Sequence, residues 1–280
     1  MTTQEVLMTG IGLGESPRWR DGRLWFCDWL GQGIVAVDPS GRSEIVARVA
    51  SLPFSIDWLP DGTLLVTSGR SLLRVGPDGS LAEHADLSDL SPYGWNEIVV
   101  DARGNAFVNS PGFDMMAGAE PAPGIVAVLT PDGPARRVAD GVAFPNGMAV
   151  TPDDATLIVA DSYGRELTAF DIADDGGLSN RRVWADLGAG VPDGICIDAE
   201  GAVWYADVPN RRCVRVREGG EVLDVVEVDR GCFACMLGGA DGATLFVMAQ
   251  EWRGAEGIGE GPPTGRVLSV RAPAPHAGRP

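Results

Sequence analysis

The sequence predicts an all-β fold, a six-bladed β-propeller with four antiparallel strands per blade. Three observations predict it. A strand–turn–strand phrase recurs six times along the 280 residues. Its tight turns fall about 40 to 50 residues apart, which is the spacing of propeller blades. The two ends of the chain supply complementary parts of one incomplete blade. The 38 glycines and 20 prolines, spread along the chain, agree with many turns and short strands.

The copies run in order. The first is S-P-R-W-R-D-G-R-L-W-F-C-D-W and the second S-I-D-W-L-P-D-G-T-L-L-V-T-S. N-E-I-V-V-D-A-R-G-N-A-F-V-N-S and N-G-M-A-V-T-P-D-D-A-T-L-I-V-A-D-S follow. D-G-I-C-I-D-A-E-G-A-V-W-Y-A-D and A-C-M-L-G-G-A-D-G-A-T-L-F-V-M-A complete the set. Their turns centre on Gly22, Gly62, Gly104, Asp154, Gly201 and Gly242. A second kind of turn, as in D-P-S-G from Asp38 or T-P-D-G from Thr130, leads to more polar outer strands. The last unit has its third strand in Gly265 to Arg271 and no fourth. Gln4 to Met8 at the N-terminus is expected to pair there, closing the ring and covering an exposed edge. Residues 1–280 therefore read as a single domain, with about 272–280 as an irregular tail.

In a propeller the first strand of each blade lines the central channel. The residues about seven before each tight turn then stand at one level around it. Four of the six are oxygen-bearing polar side chains: Glu15, Asn96, Asn146 and Asp193. Taken singly, Asn146-Gly147 and Asp193-Gly194 read as turns. In register, the four read as a ring of oxygen ligands. Such donors suit a hard divalent cation such as Ca²⁺, Mg²⁺ or Mn²⁺, with Zn²⁺ or Fe²⁺ where water completes the shell. Two carboxylates facing each other without a cation would be costly unless protonated.

Two long irregular segments follow second strands and so overhang that level: Pro111 to Gly124 and Gln250 to Thr264. Their Phe113, Met115, Met116 and Trp252, with Phe54, Tyr93, Trp95, Phe144 and Phe233 at the starts of strands, predict an apolar pocket above the ligands.

Composition narrows the function. A net charge of −17 argues against nucleic acid and anionic membranes. The N-terminal M-T-T-Q-E-V-L-M-T-G lacks a signal-peptide pattern, and no stretch approaches membrane-span length, so a cytoplasmic protein is expected. Five cysteines in no framework spacing agree with a reducing compartment, and Cys232-Phe-Ala-Cys235 reads as buried strand rather than a redox motif. Only two histidines are present, His84 and His276. Neither suits a Ser-His-Asp triad, so water activation would fall to carboxylates or to an oxygen-liganded metal.

At these residues the sequence resembles the SMP-30/gluconolactonase/luciferin-regenerating-enzyme family of six-bladed propellers. The resemblance is carried by G-E-S-P at Gly14, N-E-I-V-V-D-A-R-G at Asn96, P-N-G-M-A-V-T-P-D at Pro145, P-D-G-I-C-I-D-A-E-G at Pro192 and F-A-C-M-L-G-G-A-D at Phe233. It implies one divalent cation (Ca, Zn, Mg, Mn or Fe) held by Glu15, Asn146 and Asp193, with Asn96 contacting substrate or a metal-bound water. It implies metal-assisted opening of a small-molecule lactone or ester, with Asp193 as the catalytic group handling protons. Sugar-lactone members often carry an arginine two residues before the asparagine matching Asn96, and this chain has Gly94 there. The expectation is a less hydroxylated, more apolar lactone than an aldonolactone, bound among Asn96, Tyr93, Trp95, Phe113, Met115 and Phe144. Arg253 on the last long loop is expected to replace the lost donors. A non-catalytic ligand-binding propeller, or one running a different reaction such as hydration or isomerisation, is the alternative.

Overall fold

The computed structural model describes residues 4–114, 117–254, 257 and 259–278. The strands form six sheets of four, each in simple up-and-down order. Blades 1 to 5 begin with the strands Gly14–Arg20, Ile56–Trp58, Glu97–Val100, Pro145–Val150 and Pro192–Ile197. Blade 6 begins with Gly231–Gly238, and its outermost strand is the N-terminal Glu5–Ile11, paired antiparallel with Gly265–Arg271. The ends of the chain thus lock the ring, and neighbouring first strands touch all the way around the channel.

The local chemistry of the sequence explains the regularity. All six predicted turn centres adopt the left-handed conformation, with φ from 56° at Asp154 to 89° at Gly62. Glycine reaches that region without steric cost, and aspartate tolerates it. Alternating apolar residues on the inner strands then fill the wedges between blades, as in the cluster containing Ala149, Ile158, Ile195, Val203 and Tyr205 between blades 4 and 5. The closing wedge is sealed by Trp19 stacked on Phe246, ring centroids 5.3 Å apart. A side chain at Gly238 would stand 2.4 Å from that indole, so the fit requires glycine there.

All five cysteines are free and buried. The segment after Arg271 forms no strand, yet it is not loose. Ala272 and Ala274 are buried, Ala199 donates to the Pro275 carbonyl at 2.8 Å, and Ala277 donates to the Ile197 carbonyl at 3.1 Å. It straps across the end of blade 5 remote from Asp193. Among the described residues no helix is long and apolar enough to cross a membrane.

Candidate active site

Glu15, Asn146 and Asp193 share a backbone device. Pairing between first and second strands breaks register between Glu15 and Arg18, between Pro145 and Met148, and between Pro192 and Ile195. A bulge takes a residue out of the in-out alternation and re-aims its side chain. In each of blades 1, 4 and 5 the break falls at the candidate ligand. The residue after it follows the same logic. Ser16 sits at φ 49°. A Cβ on Gly147 would lie 2.6 Å from the Asp193 carbonyl, and one on Gly194 would lie 2.5 Å from the Ala234 Cβ. The Asn-Gly and Asp-Gly pairs are therefore not hairpin turns. Their glycines let neighbouring inner strands approach closely at the mouth of the channel.

The strands are held at this height by a repeated aspartate at the end of the second strand. Asp28 accepts from the Gly12 and Leu13 amides at 3.0 and 3.1 Å, just ahead of Glu15. Asp161 accepts from Ala143 and Phe144 at 2.9 and 3.0 Å, ahead of Asn146. Asp207 accepts from Val191 at 3.3 Å, ahead of Asp193. Further bonds run sideways. Asn109 donates to the Asn146 carbonyl at 2.6 Å, Asn96 to the Pro145 carbonyl at 3.3 Å, and Ser162 to the Pro192 carbonyl at 2.6 Å. The Oδ1 of Asn109 is buried with no partner, an acceptor left open beside the site.

Glu15, Asn96, Asn146, Ser162 and Asp193 together form the polar part of a cavity of about 350 Å³. The remaining lining is apolar, including Trp29, Phe144, Tyr163, Val208, Phe233 and Trp252. Burial pushes the Glu15 carboxyl well above the usual carboxylate range, and the charges of Asp193 and Glu97 push it further. Asp193 is raised in the same way, by burial first and by Glu97 second, against a hydrogen bond from Asn146 that favours its charged form. Glu97 is raised more mildly because the Arg18 guanidinium offsets part of its burial.

Two carboxylates lining one space, with no cationic side chain beside them among the described residues, are a poor arrangement for a protein alone. They are a good one for a divalent cation. Among the described residues no three His, Cys, Asp or Glu side chains converge as a metal site, so a third protein donor would be an amide oxygen. Asn146 would supply it with its amide oxygen turned inward. The donor set therefore fits a hard, oxygen-liganded cation.

The structure brings Glu15, Asn96, Asn146, Asp193, Phe144, Phe233 and Trp252 to this cavity. It takes others elsewhere. Trp95 is fully buried beneath Leu65, Leu72 and Ile98 and cannot contact substrate. Phe54 is likewise core, packed with Trp29 and Ile56. Tyr93 is half-buried and lies outside the lining. Phe113 stands one layer back, its ring 5.7 Å from Phe144 and 6.4 Å from Tyr163. Arg253 faces a separate cavity, paired with Glu251 at 2.8 Å and donating to the Glu260 carbonyl at 3.2 Å, so it does not replace an arginine at position 94. Met115 and Met116 lie outside the described residues.

The SMP-30/Gluconolactonase/LRE-like region matches residues 13–251. The chain belongs to that family. Its relatives include a regucalcin from Xenopus laevis, 29% identical with 86% of each chain covered. A pentonolactonase from Haloferax volcanii is 27% identical, covering 93% of this chain and 89% of its own. Among solved structures, a luciferin-regenerating enzyme shares the fold with a TM-score of 0.83 at 20% identity, covering 99% of both chains.

Within this family framework, the sequence reading missed Tyr163, Trp29 and Val208. A signal for them was present. Each directly or nearly follows an aspartate ending a second strand, in C-D-W, A-D-S-Y and A-D-V, in the three blades that carry Glu15, Asn146 and Asp193. Those aspartates anchor the short loops that bring Trp29, Tyr163 and Val208 to the cavity wall.

Proposed function

We propose that this protein is a divalent-metal-dependent hydrolase that opens an apolar lactone. The observation that supports it best is the shared cavity: a buried carboxylate from Glu15, a half-buried one from Asp193 and two carboxamides at its base, under walls that are almost wholly apolar. The pentonolactonase relative, and a 6-deoxy-6-sulfogluconolactonase from Pseudomonas putida that is 25% identical, make lactone opening the reaction class to test.

Glu15, Asn146 and Asp193 would hold the cation. When bound, such a cation polarises a carbonyl oxygen and brings the pKa of coordinated water towards roughly 7. The chain's own residues do the rest. The Asn96 amide, tied to the Pro145 carbonyl, is placed to orient the lactone at the base of the cavity. The Asp193 carboxylate would take the proton released as water adds and return it to the leaving alkoxide. The apolar walls exclude bulk water and leave hydroxyl-rich substrates without donors.

The test is acid release from a lactone panel, from aldonolactones to alkyl and aryl lactones, using chelator-treated protein with single cations restored. Cation-dependent turnover favouring apolar lactones is expected, with Asp193→Asn at least about a hundredfold slower. Turnover indifferent to chelation, or silence with every cation, would overturn the reading.

A further inference from the structure

Resting on that reading, we propose that the substrate is an uncharged lactone bearing a flat aromatic group, held at the mouth between Tyr163 and Trp252.

Both rings line the cavity, and both stay substantially exposed, Tyr163 at 53% and Trp252 at 39%. Each of these exposed rings is held in place by a second ring. Tyr163 stacks on Phe144 with centroids 4.7 Å apart and planes 19° apart, and Phe113 backs the pair at 5.7 and 6.4 Å. Trp252 meets Phe233 edge-on at 5.8 Å and 69°. One side of the mouth thus continues a parallel stack, and the other ends in an indole set by an edge contact. Both arrangements favour a further planar ring over a saturated one of equal bulk. The cavity of about 350 Å³ accommodates a lactone with one such substituent.

Charge decides the second half of the proposal. Among the described residues no arginine or histidine lines this cavity, and the chain contains no lysine. The cation that Glu15 and Asp193 would hold is committed to those carboxylates and to the lactone carbonyl, which leaves no cationic side chain at the mouth to pair with a carboxylate, sulfonate or phosphate on the substituent. The selected substituent is therefore neutral.

The experiment compares γ-butyrolactones whose γ-substituent is phenyl, cyclohexyl or 4-carboxyphenyl, by kcat/KM with the cation restored. The phenyl compound is expected to exceed cyclohexyl by about three- to tenfold, the range a stacking contact supplies. It should exceed carboxyphenyl by more. Tyr163→Ala and Trp252→Ala should each bring the phenyl-to-cyclohexyl ratio towards one. Equal rates for phenyl and cyclohexyl, or a ratio untouched by both variants, would refute the aromatic slot. A carboxyphenyl compound as good as phenyl would refute the charge argument. Calorimetry with the lactams 5-phenyl- and 5-cyclohexylpyrrolidin-2-one separates this from the hydrolase reading. If no lactone is opened but the phenyl lactam binds in preference, the slot stands and the hydrolase reading falls. If neither lactam binds, the slot falls as well.

Discussion

Replacing Arg18 by methionine should destabilise the protein more than any single surface change. Arg18 is only 5% exposed, deep in the channel below Glu15. Its Nη2 lies 3.3 Å from Glu97 and donates to the Ile98 carbonyl at 2.6 Å, and its Nη1 donates to the Pro17 carbonyl at 2.9 Å. Asp57 is a further 3.9 Å from Nε. Methionine fills much of the stem's volume but removes every donor. Removing one partner from a buried pair costs about 3–5 kcal/mol, because the remaining charge is left uncompensated. Glu97 keeps hydrogen bonds from Ser16 Oγ at 3.0 Å and the Ile98 amide at 2.9 Å, which places the loss near 3 kcal/mol. For a chain of this size that corresponds to a melting temperature lower by roughly 5 °C. Urea unfolding should show a lower midpoint with an unchanged slope. Arg18→Met with Glu97→Gln should recover at least half of the loss, since the carboxylate nearest the lost guanidinium is then neutral. A loss below about 1 kcal/mol, or a double variant no better than the single one, would refute this account of the channel.

Further outcomes follow from the same geometry. In chelated protein, Glu15, Asp193 and Glu97 have pKa values raised by burial, so their stabilising contribution is complete below the unfolded value near 4 and lost as pH rises through the folded values. Its melting temperature should fall as pH rises above the unfolded carboxylate value near 4, and Asp193→Asn should flatten the slope. Restoring a cation at a hundred times its dissociation constant should stabilise the wild type by about 2.7 kcal/mol, read by calorimetry, and should leave Glu15→Gln almost unmoved. Gly94→Arg should fold, because a Cβ there meets nothing nearer than the Gly69 carbonyl at 3.5 Å, and it should raise activity on hydroxylated lactones relative to apolar ones. Arg253→Ala should leave the lactone profile unchanged, since Arg253 faces the neighbouring cavity.

The site was legible in part, for a definable reason. Glu15, Asn96, Asn146 and Asp193 could be found because a repeat converts sequence position into height along one channel. Strand polarity likewise placed Trp252 at that end. Trp95 and Tyr93 were misplaced because they precede an inner strand by only two and four residues. At that distance, a half-turn of the backbone decides whether a ring enters the cavity or the core. Arg253 was misplaced for a similar reason: its neighbour Trp252 turns into the main cavity, while Arg253 turns away to Glu251.

The sequence by itself determined the six blades, their four-strand order, the closing N-terminal strand and the level of the polar ring, because turn chemistry and period-two burial are local properties repeated many times. Only the tertiary structure decided which aromatic rings face the cavity. It also revealed the bulges that aim Glu15, Asn146 and Asp193, and the pairing of Glu97 with an arginine 79 positions away. These depend on how neighbouring blades press against one another. A close approach of 2.5 Å at a missing Cβ, as at Gly194, is a property of two strands from different blades that neither strand specifies alone.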